Sequence, residues 1–400
     1  MIQLSICLPT RNRQKYCIET IRGIAASDAT DFEVIVGDNS DDGSILSEFF
    51  AKEFKDPRFR LIGPEETVLA MVDNWERLIG HCAGRWISVI GDDDYIDPRL
   101  VQLLKYYERT YPGVEAVSWA RMSFNWPDNR SKRGLSVVPV AHDTYVATKS
   151  IVQDRLYRWT EGSKRPGVGF GIYHAAVRKP VMERVKRKYG GRYFEHPVVD
   201  YESSCKIIRE AKVLVHCQRP FSVLGACKAS NSAGTKSRAT MMQRVDTFKA
   251  ETKGKVDMDD PVFPFPISDP GASICASVAS TTYWFCRTYG IDLTGFSENF
   301  VRAAMDELGG TMVEEDYKLK KAFFERGFDA WEGGKWRAHF KPLPFWGDRS
   351  HNELSGVLRD YLYIREDVSP SATPAEFYHF SEAMIMPVEN VASGARVFAR

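Results

Sequence analysis

The chain has 400 residues, enough for two domains or for one large domain with an appendage. Its 44% apolar and 27% charged residues are ordinary globular composition. A net charge of +1, with no dense Lys/Arg block interleaved with aromatics, argues against nucleic acid as a partner.

The N-terminus runs straight into a strand, with no basic segment ahead of a long apolar stretch, so no secretory signal is expected. Eight cysteines are scattered without a C-x-x-C pair, several of them inside apolar runs. They read as reduced and buried, in a cytoplasmic setting. Ile2, Leu4, Ile6 and Leu8 alternate, and the run stops at Pro9-Thr10-Arg11-Asn12, which predicts a first strand ending in a polar loop. Cys17, Ile21, Ile24 and Ala25 then recur at helical spacing. Phe32 to Gly37 is a second strand, closed by the polar turn Asp38-Asn39-Ser40-Asp41-Asp42-Gly43-Ser44. Phe59 to Ile62 is a short third strand. Val68, Met71, Val72, Trp75, Ile79 and Cys82 mark one face of a helix that Gly84 is fit to stop.

The strand Trp86 to Ile90 ends abruptly in Asp92-Asp93-Asp94, and Asp97-Pro98 reads as the N-cap and first position of a new helix. Three adjacent carboxylates are costly unless water, a cation or a basic group offsets them. Hard divalent cations use few carboxylates and leave positions for substrate phosphates. The triplet is therefore a candidate seat for a metal–diphosphate ligand; the plain alternative is a solvated acidic turn. Strand–helix–strand repetition argues for a parallel α/β sheet, whose ligands bind at the carboxyl ends of the strands. Three such ends, residues 9–12, 38–44 and 91–94, would then converge on one edge.

Beyond residue 120 the pattern loosens. Arg165 to Gly171 is a glycine-dense loop, spelled unlike a dinucleotide fingerprint. Asp200 and Glu202 open a helix, where acidic residues commonly serve only as dipole complements. Val213 to His216 reads as a strand, and residues 228–240 as a polar, basic loop. Residues 241–271, rich in proline towards their end, read as a linker between a domain of residues 1–240 and a mainly helical region of residues 272–400. Ala272 to Phe285 is too short and too rich in Ser and Thr to span a membrane, and reads as a buried helix. Trp331, Trp336, Phe340, Phe345 and Trp346 form either a small helical core or a surface for an acceptor, a membrane face or a sister subunit.

Four blocks, taken in order, resemble the family 2 glycosyltransferases of GT-A fold: Ser5 to Arg13; Phe32 to Ser44; Asn74 with Gly84 to Pro98; and Gly190 to Glu195 through Asp200-Tyr201-Glu202. The resemblance covers residues 1 to about 232. It implies that Pro9, Thr10 and Arg11 line a nucleotide, that Asp38 reads its base (most often uracil), and that Asn39 and Asn74 lie beside the donor. It implies further that Asp92 and Asp93 touch the donor and that Asp92 and Asp94 hold Mn²⁺ or Mg²⁺. The family's middle position is variable and is here also Asp, so which carboxylate ligates directly stays open. Asp200 falls where the family has its catalytic base, and Lys228 is a candidate contact to the diphosphate. Two departures stand out: Val199 replaces an acidic residue that often precedes the base, and the 38–44 loop is one residue shorter than the common form.

The expected activity is inverting, metal-dependent transfer of a sugar from a nucleotide-sugar donor, UDP-linked for preference, to a glycan or lipid-linked acceptor. The expected location is cytoplasmic or peripheral at the cytoplasmic membrane face. Two rivals are a sugar-phosphate nucleotidyltransferase and a non-catalytic sugar-nucleotide-binding scaffold. The first needs a Gly-rich N-terminal loop, and residues 8–15 contain no glycine.

Overall fold

The alternating N-terminal strands build one side of a sheet in the computed structural model, which describes residues 2–131, 134–162, 166, 169–230, 260, 262–347, 355–366 and 369–394. Strands β1 (Leu4–Thr10), β2 (Phe32–Asp38), β3 (Phe59–Ile62) and β4 (Trp86–Val89) lie in the order β3-β2-β1-β4, all parallel. Helix α1 (Gln14–Ala25) joins the first pair, α2 (Ser44–Glu48) follows β2, and α3 (Met71–Gly80) precedes β4. Period-two alternation divides the strand side chains between two cores. Leu4, Ile6 and Leu8 pack with α1 residues on one face, whereas Cys7, Ile35 and Val89 pack with α3 on the other.

The sheet then turns mixed. After β5 (Tyr95–Ile96) and α4 (Leu100–Thr110) comes the long strand β6 (Val114–Asn125). It runs on past residue 120, where the sequence pattern loosens, because Met122 and Phe124 keep the inward alternation going. The following elements are β7 (Leu135–Pro139), β8 (Thr144–Ala147), α5 (Lys149–Tyr157), β9 (Ala175–Arg178), α6 (Lys179–Lys188), α7 (Val199–Glu210) and β10 (Val213–Ala226). Strand β9 lies antiparallel between β4 and β6, and β10 runs parallel to β6 and antiparallel to β5 and β8. The parallel expectation thus describes the β3-β2-β1-β4 half and the β6–β10 pair. Helix α4 begins two residues later than expected. Asp97 instead closes the preceding turn, accepting from the Arg99 N–H at 2.9 Å.

Past residue 260 three helices, α8 (Ile274–Thr288), α9 (Phe296–Gly309) and α10 (Glu314–Ala330), enclose an aromatic core. Phe263 and Phe265, in the expected linker, are buried in that core with ring centroids 4.8 Å apart; residues 241–259 and 261 lie outside the described residues. Trp331 and Phe340 are buried here, while Leu343 and Trp346 are exposed.

The chain then returns to the sheet. Strands β11 (Gly356–Leu358) and β12 (Tyr361–Arg365) form a hairpin added to β7, and α11 (Pro374–Ser381) and α12 (Val388–Ala392) pack on the first core. So the region expected to be helical also supplies strands: Leu362 and Ile364 pack from β12 against the core under β7. Gly23 lets α1 meet α11 closely, since a Cβ there would lie 2.5 Å from that of Ala375. All eight cysteines are buried. Among the described residues no helix is long and apolar enough to cross a membrane.

Candidate active site

The parallel order β2-β1-β4 brings the three polar strand ends together. The Asn39 N–H donates to the Thr10 carbonyl at 3.0 Å, and Asn12 donates through its N–H to Ser40 Oγ at 2.9 Å and through Nδ2 to Asp41 at 2.8 Å. Thr10 Oγ1 donates to Asp92 Oδ2 at 2.6 Å, joining the first end to the third.

The triplet is not a solvated turn. Asp92 is fully buried, and Arg13 meets it as a fork: Nη2 lies 2.6 Å from Oδ1 and Nε donates to Oδ2 at 3.1 Å. Burial pushes the Asp92 carboxyl up to about 7, against the pull of Arg13 and Thr10. Burial also opposes the Arg13 charge, but Asp92 and Asp93 more than offset it and hold that guanidinium above the ordinary arginine value.

Asp94 is equally enclosed, with four groups around its carboxylate. Its Oδ2 accepts from the Gly91 N–H at 2.7 Å and from the Tyr173 hydroxyl at 2.6 Å, and lies 2.9 Å from His174 Nε2; its Oδ1 accepts from the Gly225 N–H at 2.8 Å. Burial alone would raise this carboxyl; His174, Tyr173 and Gly225 together hold it below the usual aspartate range. His174 is in turn fixed through Nδ1, 2.8 Å from Ser222 Oγ, which also accepts from Trp119 Nε1 at 2.8 Å. Such anchoring suits its left-handed backbone (φ +50°), a conformation that costs a non-glycine residue about 1–3 kcal/mol. Gly225 allows β10 to close over the triplet, because a Cβ there would sit 1.7 Å from the Asp93 carbonyl oxygen.

Asp93 is the least enclosed of the three, its side chain 6% exposed where those of Asp92 and Asp94 are 0%. It accepts from Ser230 Oγ and, at 3.3 Å, from the Cys227 N–H; Arg13 Nη1 lies 3.6 Å from its Oδ1. Among the described residues no three His, Cys, Asp or Glu side chains converge as a cation cage. The donors present fit a cation of the Mg²⁺ kind in a sparser way, through Asp93 together with ligands drawn from a phosphate and water.

Asp38 ends β2 fully buried. Its Oδ1 accepts from the Ser40 N–H at 2.9 Å, while Oδ2 has no hydrogen-bond partner among the described residues. Asn39 pairs with the backbone: Nδ2 donates to the Leu69 carbonyl and Oδ1 accepts from the Leu69 N–H, both at 2.9 Å. Asn74 is likewise engaged, its Oδ1 accepting from Arg77 Nε at 2.8 Å and its Nδ2 donating to the Gly37 carbonyl at 3.4 Å. Pro9 is partly buried, Arg11 lies 3.9 Å from Asp41, and exposed Lys228 donates its N–H to Asp128 at 3.2 Å. Of the basic loop at 228–240, residues 231–240 lie outside the described residues, as do 165, 167 and 168 of the glycine-dense loop.

Asp200 sits in the first turn of α7, half-buried, with Oδ1 accepting from the Tyr201 N–H at 2.9 Å. That turn abuts the segment bearing Tyr173 and His174. A Cβ on Gly171 would lie 3.1 Å from the Asp200 carbonyl oxygen, and the Ile172 N–H donates to Ser203 Oγ at 3.4 Å. The segment 171–174 therefore links the candidate base to Asp94. Behind α7, buried Lys206 lies 2.5 Å from Glu202 and 2.9 Å from Glu195, and burial pushes the Glu202 carboxyl up to about 7.

Sequence reasoning assigned no role to Arg13, Tyr173, His174 or Gly225. Arg13 stood inside a recognised block, where a cation just past a strand end was a usable signal. Tyr173 and His174 carried none, since only the tertiary fold brings them to Asp94.

The sequence model of a family described as glycosyl transferase family 2 matches residues 5–209. Among solved structures, S. aureus TarS 1–349 in complex with UDP-GlcNAc is similar at 14% identity, over 82% of this chain and 87% of that one, with a TM-score of 0.44. The same protein in complex with UDP is similar at 12% identity, over 87% and 95%, with a TM-score of 0.42. No curated protein matches the chain.

Proposed function

Because the chain belongs to glycosyl transferase family 2, and is therefore a glycosyltransferase of GT-A fold, we propose that it moves a sugar with inversion from a nucleoside diphosphate, UDP for preference, to a hydroxyl of a glycan or lipid-linked acceptor. The observation that supports the reading is the buried Asp38 Oδ2, without a hydrogen-bond partner among the described residues, at the end of the strand beside β1, whose own end meets the Arg13-bound triplet through Thr10. Leaving such an acceptor unmatched costs about 1–3 kcal/mol, which the imide N–H of uracil would relieve.

In this reading Pro9 and Thr10 form the floor under the nucleotide, and Arg11 and Lys228 flank its phosphates. Asn39 and Asn74 hold the Asp38 loop in shape rather than touching the donor. Asp92 and Asp94 brace the strand tip, and Asp93 offers the carboxylate for Mn²⁺ or Mg²⁺. A bound divalent cation would offset the charge that develops on the diphosphate as it leaves. Asp200 takes the proton of the acceptor hydroxyl as its oxygen bonds the anomeric carbon and the bond from that carbon to the phosphate oxygen breaks. The products are the glycoside and the nucleoside diphosphate. General-base help of this kind is worth about 10²–10⁴ in rate. A cytoplasmic site of action, peripheral at the membrane when the acceptor is lipid-linked, goes with this pairing of donor and acceptor.

Two measurements test the proposal: UDP release from a panel of nucleotide sugars, and UDP binding by calorimetry. The variant Asp200→Asn should keep UDP affinity within about twofold and lose at least about a hundredfold in turnover. Full turnover in that variant would remove Asp200 from the mechanism.

A further inference from the structure

Among the described residues, Arg13 is the arginine or lysine whose charged group reaches the triplet, and it reaches two of the three members. Its fork lies 2.6 and 3.1 Å from the two oxygens of Asp92, and Nη1 lies 3.6 Å from Asp93 Oδ1. Arg13 is the N-cap residue of α1, so its backbone is fixed at the start of that helix, while its side chain keeps 20% exposure. Asp94 is enclosed, with four groups already around its carboxylate and none of its side chain exposed, whereas Asp93 keeps 6% side-chain exposure. A cation approaching the triplet therefore meets Asp93, and beside it a guanidinium of like sign.

A diphosphate changes that balance. It presents several anionic oxygens to an arginine fork, the geometry in which arginine forms its strongest charge-assisted bonds. We propose that Arg13 couples cation binding to nucleotide binding. In the arrangement described here it screens Asp92 and Asp93, and it turns its fork to the donor's diphosphate when the nucleotide binds, which frees Asp93 to ligate the cation. This rests on the reading that the site takes a nucleoside diphosphate. Linkage makes the coupling reciprocal, so UDP raises the affinity for Mn²⁺ by the same factor as Mn²⁺ raises the affinity for UDP.

The test is titration of Mn²⁺, followed by the paramagnetic resonance signal of the free ion, into wild type and Arg13→Met, with and without UDP. Wild type is expected to bind Mn²⁺ weakly alone and about tenfold or more tightly with UDP. Arg13→Met should bind Mn²⁺ alone about tenfold more tightly than wild type does, with a coupling factor near one. Arg13→Lys keeps the charge and loses the fork; it should retain weak binding of Mn²⁺ alone and lose most of the gain from UDP, which keeps the test open if the methionine variant does not fold. Equal Mn²⁺ affinity in wild type with and without saturating UDP overturns the proposal, as does unchanged binding of Mn²⁺ alone in Arg13→Met or undiminished coupling in Arg13→Lys. Failure of wild type to bind UDP at all would instead overturn the nucleotide-sugar reading, and the arms without UDP would still decide whether Arg13 screens Asp93.

Discussion

At the scale of single residues, enclosure decides the chemistry. Asp92 and Asp94 are two positions apart and both buried, yet burial drives one up to about 7 while a histidine, a tyrosine and a backbone N–H hold the other low. His196, just ahead of the candidate base, makes a similar point with opposite sign. Burial, helped by the Lys206 charge, lowers its pKa to about 3. The folded protein therefore keeps this imidazole neutral down to about pH 3, whereas the unfolded chain protonates it below about pH 6.5. In that window the unfolded state binds the extra proton, so stability falls as pH falls, by up to roughly 1.4 kcal/mol per unit for this one group. Urea midpoints of wild type and His196→Gln between pH 7 and 4 should converge as the pH is lowered. Parallel curves would show that the imidazole does not carry this part of the acid sensitivity.

Elements hold these residues through contacts that run between secondary structures rather than within them. The loop ahead of α7 is tied to the helix by Lys206, which sits 2.5 Å from Glu202 and 2.9 Å from Glu195, with both Lys206 and Glu202 fully buried. Removing one partner of a buried pair leaves an uncompensated charge, which typically costs about 3–5 kcal/mol, whereas removing both costs far less. Lys206→Met should therefore lower the unfolding free energy by about that amount, and Lys206→Met with Glu202→Gln should recover most of it. Chemical denaturation measures both; a single variant as stable as wild type would show the pair to be energetically idle. Local sequence announced the helix itself at Asp200 and Glu202, and Cys205 and Ile208 lie buried along it. It did not announce the ion pair, because Lys206 and Glu202 also spell an ordinary exposed i,i+4 bridge, and only packing puts them out of water.

For the molecule as a whole, the end of the chain completes the core of its beginning. Tyr378 is fully buried; its hydroxyl donates to Asp97 at 2.9 Å, accepts from Arg219 at 3.0 Å, and its ring lies 5.2 Å from that of Tyr95. Phe377 packs on Phe124 at 5.2 Å, and Arg99 bridges Asp97 to Glu382. A chain ending at residue 354 would expose this apolar face and strand Arg219 and Asp97 without their tyrosine. Such a truncation should lose its cooperative thermal transition and aggregate; a soluble fragment melting within a few degrees of the full chain would show the C-terminal return to be dispensable.

The N-terminal strands, the helices between them and the convergence of the loops at 9–12, 38–44 and 91–94 were legible in the sequence, because alternation and helical spacing are local signals and parallel connection follows from them. The acidic triplet was legible for the same reason, as a strand with an abrupt polar end. What surrounds it was not. Arg13 meets Asp92 across 79 residues, His174 meets Asp94 across 80, and Tyr378 meets Asp97 across 281. Contacts at such separations leave no period in the chain; they exist only once burial has closed the sheet and made each enclosed charge find its partner.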